Sequence, residues 1–168
     1  MTRSEELQIE LVCLRFAADD FAECHRFAST AAGTTDDDIK FPVIAASIVS
    51  YVRPFTVCRV KGLKAQRPLV QIGDIETTPD QAALHAELVA YRHRFVAHTD
   101  LSARDLKLAN ASSDKIGPWF MMSYRSAGIE TWNAKLDGIR ELATHCERTV
   151  SEKRDLVMTE LHDLLKGE

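Results

Sequence analysis

At 168 residues, with 45% hydrophobic and 27% charged side chains, the chain has the size of one domain, and its composition excludes an intrinsically disordered polypeptide. The net charge of −4 excludes a protein coated in basic surface, and no run approaches the roughly 20 apolar residues that span a bilayer. The opening MTRSEELQIE is acidic and polar, unlike a signal or transit peptide, and the chain reads as cytoplasmic. Cys13, Cys24, Cys58 and Cys146 form no C-x-x-C pair and read as small buried hydrophobes; no metal-ligand cluster and no cofactor motif is present.

Residues 4–29 repeat apolar side chains at helical spacing (Leu7, Leu11, Leu14, Ala18, Phe21, Ala28), with Ile9, Val12 and Phe16 expected to widen the buried face. Gly33-Thr34-Thr35 marks a turn. A second helix follows the acids Asp36–Asp38, which suit a helix N-terminus, and carries Ile44, Ala45, Ile48, Tyr51 and Val52 until Pro54 stops it. Residues 55–77 lack a helical period; Leu69–Ile72 is the expected strand there. That stretch follows a basic run, Arg53, Arg59, Lys61, Lys64 and Arg67, uninterrupted by acid. Such a run can bind phosphate locally within an acidic protein, because distant exposed charges are screened.

The third helix has the clearest start. Thr78-Pro79-Asp80-Gln81 supplies a capping hydroxyl, a proline at the first helical position and a capping-box glutamine. Its stripe is Leu84, Leu88, Tyr91 and Phe95, and it is expected to fail near Thr99-Asp100. Leu106–Ala109 and Trp119–Tyr124 read as a hairpin turning over Asn110–Asp114. A last helix is predicted from Ile129 through Leu164; about 36 residues would span roughly 50 Å. That length suggests an end packed against another subunit. The elements amount to one mainly all-α domain, residues 1–168, with four main helices and a small β-hairpin between the third and fourth.

Phosphate-cradling glycine loops, a G-x-S-x-G elbow and Glu-x-x-His pairs are absent. What remains is Tyr91-Arg92-His93-Arg94-Phe95-Val96-Ala97-His98-Thr99-Asp100 at the end of the third helix. Arg92 shares a stripe with His85, Val89 and Val96, so a guanidinium sits beside the core, which is costly without a partner or an interface. His93 lies on a face of small residues, Ala86, Ala90 and Ala97. Arg92 and His98 converge only where the helix breaks.

This stretch resembles the R-x(4–6)-H motif of HEPN domains, with Arg92 and His98 as its ends and His93 in the polar position after the arginine. The likeness is to HEPN proteins of abortive-infection type. The resemblance implies an up-and-down four-helix bundle and metal-independent endoribonuclease activity of toxin or phage-defence kind. It also implies a composite site where a homodimer joins its motifs, RNA as substrate, and an antitoxin or other protein as partner. Arg92, His93 and His98 would be the catalytic residues, and Arg94, Arg59, Lys61 and Lys64 would contact RNA phosphate. Two other readings stay open on residues alone: a non-catalytic RNA-binding or protein-interaction module, and an unrelated structural bundle with Arg92 in an ordinary ion pair. His25, His85, His145 and His162 occur singly in helical segments and read as packing or surface residues. Trp119, Phe120 and Trp132 read as core or interface.

Overall fold

The structure is a computed structural model that describes residues 2–58, 67–96, 104–113, 117–126 and 129–166, with backbone alone at 58, 67, 95–96, 104–113, 117–126 and 129. The described chain is mainly helical, and no helix in it is long and apolar enough to cross a membrane. The candidate residues His98, Arg59, Lys61 and Lys64 lie outside the described residues, as does the expected helix end at Thr99-Asp100.

Helix α1 runs from Arg3 to Gly33 and starts with a capping box. The Glu5 N–H donates to the Thr2 hydroxyl at 3.2 Å, and the Thr2 N–H donates to the Glu5 carboxylate at 2.8 Å. These bonds satisfy two donors that a helix start otherwise leaves orphaned. Helix α2, Asp37–Val52, is capped by the Asp36 side chain, which accepts from the Asp38 N–H at 2.9 Å. It ends where Arg53-Pro54-Phe55 tightens into a 3-10 turn. Helix α3, Pro79–Tyr91, has the Thr78–Gln81 capping box, and a π-helical turn, Arg92–Val96, continues it. A short helix and a long one stand where one long final helix was expected: α4, Ile129–Asn133, and α5, Leu136–Lys166. The break falls at Ala134–Lys135, where the Lys135 side chain turns to Glu87 of α3 and over the Trp132 ring.

Helix α5 packs along α1, with Arg3 paired to Glu160 at 2.7 Å and Lys153 to Glu10 at 3.3 Å, so the two run antiparallel. Both are 31 residues long, so α1 matches the length of α5. Helix α2 packs on α1, and α3 touches α2 and α5. Gly138 of α5 permits the last approach, since a Cβ there would lie 3.3 Å from the Leu84 side chain.

The core is one cluster centred on Phe21, Ile44, Ile48, Leu88, Ile139 and Leu142. Val12 and Phe16 do not join it. They are 48% and 58% exposed, on the side of α1 away from the buried stripe, so that face is narrower than the apolar pattern predicts. Cys13, Cys24 and Cys146 are buried, and burial pushes the thiols of Cys24 and Cys146 up to about 12.

In the 55–77 stretch the ladder pairs β1, Val57–Cys58, with β2, Arg67–Pro68, rather than using Leu69–Ile72. The Val70 N–H donates to the Pro54 carbonyl at 3.1 Å, and Ile72–Asp74 forms a 3-10 turn. Farther on, the backbone of β3, Arg104–Ser113, pairs antiparallel with β4, Gly117–Ser126, from Arg104 opposite Ser126 to Ser113 opposite Gly117. Asn110–Ser113, expected in the turn, belongs to that ladder.

Candidate functional site

The motif begins where α3 ceases to be an α-helix. Arg92 caps α3 with helical backbone angles, and its N–H is shared between the carbonyls of Leu88 and Val89. From Arg92 to Val96 the hydrogen bonding has the wider π pattern. Such single π-turns are rare and recur at functional sites, because they re-aim side chains that a regular helix would fix.

Around this turn the packing is specific. Tyr91 meets the Trp132 ring edge-on, with centroids 4.8 Å apart, and burial pushes its phenol up to about 12. Trp132 is buried, and Lys135 stands 5.5 Å over its ring while pairing with Glu87. These contacts bind the end of α3 to the α4–α5 junction. They leave Arg92 half-buried and His93 and Arg94 exposed.

Arg92 has no ion pair and no hydrogen-bond partner for its side chain among the described residues. The ordinary ion pair that would have explained this arginine is therefore absent there. A half-buried arginine covers apolar surface with its stem, and a head group without a counter-charge suits a position where an anion arrives from outside. The structure places Arg92, His93 and Arg94 together on one turn.

His85, on the same stripe of α3, is occupied otherwise. Its Nδ1 hydrogen-bonds the Tyr51 hydroxyl at 3.0 Å, and its ring stands edge-on to Phe55 with centroids 4.7 Å apart. Burial lowers its pKa from 6.5. Burial, reinforced by the neighbouring Cys146 thiol, pushes the Tyr51 phenol far up. His85 is thus a neutral packing residue. Among the described residues no group of three or more His, Cys, Asp or Glu side chains could hold a metal ion.

A second polar region was not singled out by its sequence. His25 of α1 and Asp137, Arg140, Glu141, Thr144, His145 and Arg148 of α5 line an open groove of about 570 Å³. On α5 these residues recur at three- and four-residue steps, a periodicity that marks one face of the helix. A polar stripe of this kind reads as solvated surface until the residue from another helix closes it.

The chain matches no protein-family model, no curated protein and no solved structure.

Proposed function

We propose that the protein is a metal-independent endoribonuclease of HEPN type, of the toxin or phage-defence kind, working in the cytoplasm as a homodimer. The observation that carries this reading is Arg92: a half-buried arginine whose side chain has no partner among the described residues, on a π-helical turn, with His93 beside it. The order of the helices supports it. In this reading α1, α2, α3 and α5 form an up-and-down four-helix bundle, β3 and β4 are a hairpin inserted between its third and fourth helices, and the motif closes the third helix.

The chemistry follows from the residue types. One imidazole, His98, takes the proton of a ribose 2′-hydroxyl, whose oxygen attacks the adjacent phosphorus. The bond from phosphorus to the 5′-oxygen breaks, and that oxygen receives a proton from the His98 of the second subunit. The products are a 2′,3′-cyclic phosphate and a free 5′-hydroxyl. Arg92 holds the phosphoryl oxygens in a two-pronged grip and stabilises the charge that develops on them. His93 hydrogen-bonds the same phosphate, and Arg94, Arg59, Lys61 and Lys64 contact flanking phosphates. An antitoxin or other protein partner would act by covering this site.

The test is cleavage of a mixed RNA substrate in excess EDTA by wild type, Arg92→Ala and His98→Ala. The reading expects a cyclic-phosphate product from wild type, and a loss of roughly 10²–10³-fold or more in each variant, the scale of one removed transition-state donor. RNA bound but left intact by wild type would replace catalysis with a binding module.

A further inference from the structure

We propose that the hairpin β3–β4 is a self-association arm, and that its strand β4 pairs antiparallel with the β4 of a second copy of this chain. The contact is separate from the joining of two motifs and does not rest on the ribonuclease reading.

The hairpin is long for a ribbon of two strands. Each strand has 10 residues, about 33 Å of extended chain. Among the described residues β3 and β4 form a two-stranded sheet by themselves, and no helix packs along either. Such a ribbon is marginal in water, and a sheet that stands alone needs three or more strands. Every second residue of β4 also turns its N–H and C=O away from β3, a row of donors and acceptors that is a template for a further strand.

The sequence distinguishes the two edges. β3 carries Arg104, Asp105 and Lys107, and charges of this kind guard an edge against pairing. β4 runs from Gly117 to Tyr124 without a charge, and its one charged residue is Arg125. A two-fold axis through Met121 sets Gly117–Arg125 of one copy against the same span of the other. Arg125 then stands opposite Gly117, so no two like charges meet, and Pro118, without an N–H, falls near the end of the ladder. Within the hairpin, Leu106 is opposite Tyr124 and Leu108 opposite Met122, so these alternate residues share one face. Phe120 opposite Met122 of the second copy continues that face across the new pair, and a slip of one residue would interrupt it. The strand order β3-β4-β4-β3 leaves the charged strands outermost, so pairing closes at two copies instead of running on. A second copy is the occupant because β4 is self-complementary, which is what a two-fold contact requires.

Antiparallel pairing sets the two hairpin bases at opposite ends of the sheet, roughly 30 Å apart by the rise of a strand, so this contact adds to any joining of the motifs and does not perform it. Sedimentation of the full chain measures it. Met121→Lys puts like charges opposite each other at the axis and is expected to halve the mass of the particle at equal concentration. Met121→Glu is expected to do the same, and mixing the two variants is expected to restore the wild-type mass, which unfolded chains could not do. If the motifs also join two chains, wild type is a tetramer and each variant a dimer; without that joining, they are a dimer and a monomer, so the halving reports on β4 alone. A monomeric wild type, an unchanged mass in Met121→Lys, or a mixture that stays at half mass would overturn the pairing. Cleavage of RNA by the same proteins reports separately on the nuclease.

Discussion

Arg53 and Arg92 occupy equivalent places in the chain and do opposite things. Each is the residue that caps a helix, α2 or α3, with nearly the same backbone angles, and each donates its N–H back into the last turn. The Arg53 side chain crosses to α1, where it hydrogen-bonds Asp20 at 2.5 Å and approaches Glu23 at 3.5 Å, while the Ser50 hydroxyl donates to Glu23. Asp20 is buried; burial pushes its carboxyl above the usual range, and Arg53 pulls it only part of the way back. Arg92 has no such counter-charge among the described residues. Helix ends of the same geometry thus hold one arginine that fastens α2 to α1 and one that has no counter-charge among the described residues.

The largest expected effect separates their functions. Arg92→Ala should remove RNA cleavage by the factor given above while shifting the melting temperature little, since no described ion pair is broken. Arg53→Ala should do the reverse. It strands a buried carboxylate, and a loss of about 1–3 kcal/mol is expected in urea unfolding, below the fully buried case because Arg53 is half-exposed. Equal destabilisation by the two variants would erase the distinction.

A smaller effect belongs to the neighbour of Arg92 on its stripe. His85 is neutral in the fold with its pKa lowered from 6.5, whereas the unfolded chain takes up its proton near that value. Protons therefore favour unfolding there: the stabilising contribution is full above pH 6.5 and is lost as pH falls from 6.5 toward the folded value. Melting temperatures between pH 7.5 and 5.5 should decline on acidification, and His85→Gln should flatten that part of the decline. The smallest effect is at Phe16. Being exposed, it should tolerate Phe16→Ser within about 0.5 kcal/mol, whereas Phe21→Ala, in the core, should cost about 3–5 kcal/mol.

Local chemistry was legible and tertiary chemistry was not. Thr78-Pro79-Asp80-Gln81 announces the start of α3 because its bonds close within four residues; Thr2 and Glu5 carry the same signature at the start of α1. The break at Ala134–Lys135 has no glycine or proline to signal it, and the Lys135 side chain there reaches Glu87 of another helix. Val12 and Phe16 keep helical spacing yet face outward, because periodicity shows a stripe and not how wide the neighbouring helices make it. The π-turn leaves no trace in the pattern of residue types. That Arg53 would be paired with Asp20, thirty-three positions away, could not be read from the sequence.

The most direct measurement is a paired substitution, Arg92→Lys and Arg53→Lys, read for RNA cleavage in EDTA and for thermal melting. Lysine keeps the charge and loses the two-pronged grip. The account predicts that Arg92→Lys melts like wild type and loses most of its cleavage, while Arg53→Lys cleaves like wild type and melts slightly lower. Full cleavage by Arg92→Lys, or its melting well below Arg53→Lys, would contradict it.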